Sequence, residues 1–92
     1  MSYTILFSND ALKDIKKHKR AGDKNTLKKI NTLVDELKEH PTFGTGKPEQ
    51  LRYTDLNIWS RHITEKHRLV YVIEDTQIKV EIIQAYGHYD DK

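Results

Sequence analysis

Apolar residues recur with two different periods along this chain, and the change of period divides it. Tyr3, Ile5 and Phe7 occupy alternate positions, which predicts a short strand over residues 3–7. Ser8, Asn9 and Asp10 follow, and their short side-chain oxygens suit them to accept the free N–H groups of a helix start. Ala11, Leu12 and Ile15 mark the apolar stripe of a first helix. It ends at Ala21-Gly22, because glycine tolerates the left-handed cap conformation. Asp23 is placed to cap a second helix, in which Leu27, Ile30, Leu33, Val34 and Leu37 return at three-to-four spacing. Pro41 disfavours helical geometry at His40 and stops it. Residues 42–48, with Gly44, Gly46 and Pro48, read as a loop.

From Asn57 onward the period becomes two. Strands are predicted over 58–63, 67–73 and 78–85, with turns at 64–66 and 74–76. In the middle strand Leu69, Tyr71 and Ile73 share one face and Arg68, Val70 and Val72 the other. Turns this short make the three strands antiparallel neighbours. The expected architecture is a single α+β domain over residues 1–92: an antiparallel sheet with two N-terminal helices packed on one face, the other face left open for a ligand.

Composition narrows the setting. Of 92 residues, 36% are hydrophobic and 33% charged, so the core is small and the surface wet. A partner chain that covered apolar surface would add stability. Without cysteine there is neither a disulfide framework nor a thiolate metal site. No apolar run approaches the roughly 20 residues of a membrane span, and residues 1–10 lack the pattern of a signal peptide. No membrane association and a cytoplasmic location are expected. Formal net charge is only +2, so distribution says more than sum. Lys13, Lys16, Lys17, Lys19, Arg20, Lys24, Lys28 and Lys29 form one basic group, which reads equally as a solvated helix face or a polyanion-binding surface. Lys47, Arg52, Arg61, Lys66 and Arg68 form a second.

Three features carry candidate chemistry. Gly44-Thr45-Gly46-Lys47-Pro48-Glu49 has the Gly-Lys pair of a phosphate loop but neither its glycine spacing nor its Ser or Thr, so it reads as a helix-to-strand connection. Arg68 interrupts an apolar strand: it is an edge residue or a structural ion pair, unless it lies on the open face, where it is a fixed cation for a phosphate. His88 follows the last strand between Gly87 and Tyr89. It is an ordinary surface histidine or a general acid, a role open to imidazoles as a class. The five histidines His18, His40, His62, His67 and His88 show no metal-ligand spacing, and neither a metal site nor a cofactor is expected.

Taken in order, Gly46-Lys47-Pro48-Glu49, Leu51-Arg52, Trp59-Ser60-Arg61, Ile63-Thr64-Glu65, His67-Arg68-Leu69-Val70-Tyr71 and His88-Tyr89 resemble the YoeB family of toxins within the RelE/ParE superfamily. The resemblance covers nearly the whole chain and is most specific between Gly46 and Tyr71. It implies a fold like that of microbial ribonucleases and a metal-independent endoribonuclease that cuts mRNA in the ribosomal A site. The implied partners are a cognate antitoxin, the ribosome and mRNA, with a homodimer as a further option. It assigns Glu49 as general base, Arg68 as the phosphate-stabilising arginine and His88 as general acid. Lys47, Arg52, Arg61, His62 and Tyr89 would bind RNA phosphates or support the site.

Two positions depart from the family pattern. His62 stands where a second arginine often follows the match to Arg61, and Asp90-Asp91-Lys92 extends beyond the histidine-tyrosine pair. Two alternatives share the fold: a ParE-like toxin that acts by binding alone, and an antitoxin-binding module without catalysis.

Overall fold

The structure is a computed structural model that describes residues 2–51 and 55–88. The chain runs β1 (Thr4–Phe7), α1 (Asn9–Arg20), α2 (Lys24–Leu37), β2 (Glu49–Gln50), β3 (Ile58–His62), β4 (Arg68–Glu74) and β5 (Lys79–Gln84). Both helix starts follow from their caps. Ser8 Oγ accepts the Ala11 N–H at 3.1 Å. Asp23 accepts both the Thr26 N–H at 3.2 Å and its hydroxyl at 2.7 Å. The last turn of α1 holds Lys17, His18, Lys19 and Arg20, the basic end that complements a helix dipole.

The five strands form one sheet in the order β1-β5-β4-β3-β2. The α+β class and the antiparallel β3–β4–β5 meander agree with expectation. The sheet as a whole is mixed, however, because β1 joins β5 in parallel, from Thr4↔Lys79 to Phe7↔Ile82. Short turns dictate direction only between strands adjacent in sequence, and two helices and three strands separate β1 from β5. Strand β2, pairing Glu49 with Ser60 and Gln50 with Trp59, also escaped the pattern, since two residues carry no periodicity.

Both helices pack on one sheet face. Ala11, Ile30, Leu33 and Leu37 meet Leu69, Tyr71, Ile73, Val80, Ile82 and Ala85 in the main core. Each large apolar side chain removed from water there contributes about 1.5–3 kcal/mol. Leu12, assigned to the buried stripe by its spacing, is instead 46% exposed, while Ala11 and Ile15 pack inward. The opposite face carries a smaller cluster of Ile58, Val70 and Val72 with Leu51 and Ile83. Among the described residues no helix is long and apolar enough to cross a membrane.

Candidate active site

The helix-free face is built from cross-strand rows, because residues paired across antiparallel strands project to the same side. One row pairs His62 of β3 with Arg68 of β4. It extends at both ends through the backbone: the His62 N–H donates to the Gly46 carbonyl at 2.7 Å, and the Arg68 N–H to the Gly87 carbonyl at 2.9 Å. Lys47 and His88, each next in sequence to a bonded glycine, therefore flank the pair. The adjoining row brings Glu49 opposite Ser60, two positions before His62. Lys47, Glu49, His62, Arg68 and His88 are thus gathered at one end of this face.

Their electrostatics meet at His62. Burial disfavours its charged form, and Arg68, Lys47 and His88 push the same way against an opposing pull from Glu49, so its pKa lies below the usual imidazole value. Arg68 is half-buried and anchored through one nitrogen. Its Nη1 donates to the carbonyls of Thr64, Glu65 and His67 at 2.7, 3.0 and 3.2 Å. Among the described residues no carboxylate pairs with it, and no hydrogen bond engages Nε or Nη2. The guanidinium is aimed while one edge stays available. Glu49 and His88 are exposed.

Arg61 is not on this face, so of the two roles expected of it, phosphate contact or support of the site, its burial leaves support. It projects to the helix side, is wholly buried, and has no surface to offer RNA. Its Nη1 pairs with Glu36 at 2.9 Å and reaches the Thr45 carbonyl, its Nη2 donates to the carbonyls of His40 and Phe43, and its Nε donates to the Tyr71 hydroxyl. Burial alone would raise the Glu36 carboxyl, but hydrogen bonds from Thr45 and the charge of Arg61 prevail and hold it below the ordinary glutamate value. Arg61 therefore gathers the 40–45 loop around itself. Gly46 continues that loop at φ +87°, where a Cβ would lie 2.9 Å from the His62 carbonyl oxygen. The glycine-containing segment is a connection, as its sequence suggested, yet it delivers Lys47 and Glu49 to the face.

His18 and His67 are the residues that sequence reasoning missed. His18 is buried on the apolar stripe of α1 and hydrogen-bonds to the Ala85 carbonyl at 2.7 Å. Its position, in step with Ala11 and Ile15, was a legible signal. His67 accepts the Gly87 N–H through Nδ1 at 2.9 Å, a contact that no local pattern announces. The α1 basic residues Lys13, Lys16, Lys17 and Arg20 line a hollow on the helix side, apart from the gathered group. Arg52, Tyr89 and the Asp90-Asp91-Lys92 tail lie outside the described residues. Among those described, no three His, Asp or Glu side chains group to hold a metal ion.

Comparison with known proteins gives this geometry a family. The model of the YoeB-like toxin of bacterial type II toxin-antitoxin systems matches residues 7–89. The chain belongs to that family. Toxin YoeB of Escherichia coli strain K12 is 45% identical over 58 residues, 63% of this chain and 69% of the relative. Among solved structures, the YoeB/ParE toxin from Agrobacterium tumefaciens superposes with a TM-score of 0.85 at 34% identity, covering 94% of this chain and 99% of that one. A Staphylococcus aureus YoeB in complex with YefM superposes with a TM-score of 0.78 at 33% identity, covering 97% and 100%. This YoeB-like toxin thus shares the fold of YoeB and RelE toxins.

Proposed function

We propose that this YoeB-like chain is a metal-independent endoribonuclease that cuts mRNA in the ribosomal A site. The observation that carries the reading is the row Gly46–His62–Arg68–Gly87 together with Glu49 in the adjoining row, which gather a carboxylate, an anchored guanidinium and imidazoles on one helix-free face. Glu49 takes the proton of the ribose 2′-hydroxyl. The 2′-oxygen attacks the adjacent phosphorus, and the bond to the 5′-oxygen breaks. Arg68 binds the non-bridging oxygens through Nε and Nη2 as charge develops. His88 gives its proton to the departing 5′-oxygen, leaving a 2′,3′-cyclic phosphate and a 5′-hydroxyl.

Glu49 is exposed, and a lone carboxylate is a weak base toward a ribose hydroxyl. His62, kept neutral beside it, is the neighbour that shares the task. Lys47 supplies further positive charge to the RNA backbone, and Arg52 and Tyr89 retain the supporting roles that the family resemblance gives them. The partners are those of related structures: an antitoxin, as in the Staphylococcus aureus YoeB–YefM complex, and a second copy, as in the Staphylococcus aureus YoeB dimer. Acting on translating ribosomes places the protein in the cytoplasm.

The test adds the protein to translating ribosomes and maps cut sites by primer extension, with EDTA present and ribosomes kept intact by polyamine. Cleavage that persists under chelation and fails in Glu49→Gln supports the reading. Intact message in the presence of the wild-type protein would overturn it in favour of a toxin that acts by binding alone.

A further inference from the structure

The main chain carrying His88 is fastened by side chains from several elements. Asp14 accepts the Ala85 N–H at 3.0 Å, and His18 Nε2 donates to the Ala85 carbonyl at 2.7 Å. Gln84 Nε2 donates to the carbonyls of Tyr86 and His88 at 3.0 and 3.1 Å. Gly87, at φ +74°, is held from both sides. Its carbonyl accepts the Arg68 N–H and its own N–H donates to Nδ1 of His67, each at 2.9 Å. This last bond differs in kind from the others. An imidazole nitrogen accepts only when it carries no proton, so the bond requires neutral His67 with its proton on Nε2. The imidazolium would turn an N–H toward the N–H of Gly87. The Nε2 donor of His18, by contrast, exists in both states of its ring.

We propose that His67 is a positioning residue for His88, a latch that holds the Gly87 amide while its ring is neutral and releases it on protonation. The inference rests on His88 acting as the proton donor proposed above. Several titratable or charged groups among the described residues face His67. His18 on α1 meets its ring edge-on at 4.6 Å, and the Tyr86 ring lies at 4.5 Å, itself covered by Lys17 Nζ at 4.8 Å from its centroid. Asp23 before α2, Lys66 in the turn before β4, and His88 also act on it. Burial first, then His18, Lys66 and His88, disfavour the charged ring against the opposing Asp23, so its pKa is depressed. The latch is closed at neutral pH and opens in mild acid.

Two variants separate the latch from packing. His67→Asn puts an oxygen near the position of Nδ1 that accepts a hydrogen bond and takes up no proton. His67→Phe keeps a ring and removes the acceptor. The Gly87 amide is followed by NMR shift and hydrogen exchange in isotope-labelled protein between about pH 7.5 and about pH 5, the range in which imidazoles titrate. The wild-type amide is expected to be protected at neutral pH and to lose protection on acidification, while the Asn variant keeps it throughout. In single-turnover RNA cleavage, the wild-type to Asn rate ratio falls by up to about tenfold per pH unit below the His67 pKa, the limit for one proton. The Phe variant is slow at every pH. If it fails to fold, the wild-type and Asn proteins suffice.

A Gly87 amide indifferent to pH, or titrating alike in wild type and Asn variant, overturns the latch. Matching cleavage profiles for those two proteins overturn the positioning role. If Gly87 titrates as expected but wild-type protein cuts no RNA, the latch holds and the ribonuclease reading falls.

Discussion

Arg61 and Arg68 stand in neighbouring antiparallel strands, one register step apart: Arg61 pairs with Leu69, and Arg68 with His62. That step sends them to opposite faces. Arg61 enters the helix side, where Glu36, three loop carbonyls and the Tyr71 hydroxyl absorb its donors. Arg68 stays on the helix-free side, tied down by Nη1 alone. Two residues of one type thus divide the work. One orders the loop that leads to Lys47 and Glu49, and the other presents a charge. The difference teaches that the pleat, more than residue type, decides which cation a ligand can meet.

The largest expected effect lies on the buried side. Arg61→Ala strips a buried ion pair of one partner and should cost about 3–5 kcal/mol of stability, measured by urea denaturation. Arg61→Lys should recover little, since one ammonium cannot replace a planar fork on this many acceptors. A loss under about 1 kcal/mol would place Arg61 with surface ion pairs and undo the comparison.

On the open side, His88→Gln should fold normally yet cleave about 100- to 10,000-fold more slowly, the range for a lost general acid. A substrate with sulfur in place of the 5′-oxygen needs little protonation to depart and should restore much of that rate. Wild-type-like cleavage by the variant removes His88 from the mechanism. Arg68→Ala should slow single-turnover cleavage about 100- to 1000-fold with ribosome affinity little changed. Its stability should move far less than that of Arg61→Ala, and weakened binding at an unchanged rate would make Arg68 a docking residue.

The smallest effect is on stability against pH. His62 and His67 both have folded-state pKa values below the ordinary imidazole value of roughly 6.5. Between the two values the unfolded chain binds more protons. Stability is therefore full above the unfolded pKa, declines as pH falls below it, and levels off once the folded rings are protonated. Urea midpoints from about pH 7.5 to about pH 5 should show this decline, flattened by combining His62→Gln with His67→Asn. An equal slope in wild type and double variant would assign the window to other groups.

Much of the fold was legible because its signals are local. Caps at Ser8 and Asp23, the stop near Pro41 and the alternation in β4 each act within a few residues. The sequence also assembled the candidates Glu49, Arg68 and His88 by family resemblance, and Lys47 and His62 with them. The support that Arg61 gives was not legible within its own strand, because its buried acceptors come from α2, β4 and the 40–45 loop.

The chain alone determined two helices, three successive strands and the face that Leu69, Tyr71 and Ile73 share, since hydrophobic period and turn length are properties of neighbouring residues. Tertiary structure decided the rest. The parallel seat of β1 on β5, the two-residue strand that presents Glu49, and the bond between His67 and Gly87 each join residues far apart in sequence. Their geometry is fixed by ladder register and packing across the sheet, which no local pattern encodes.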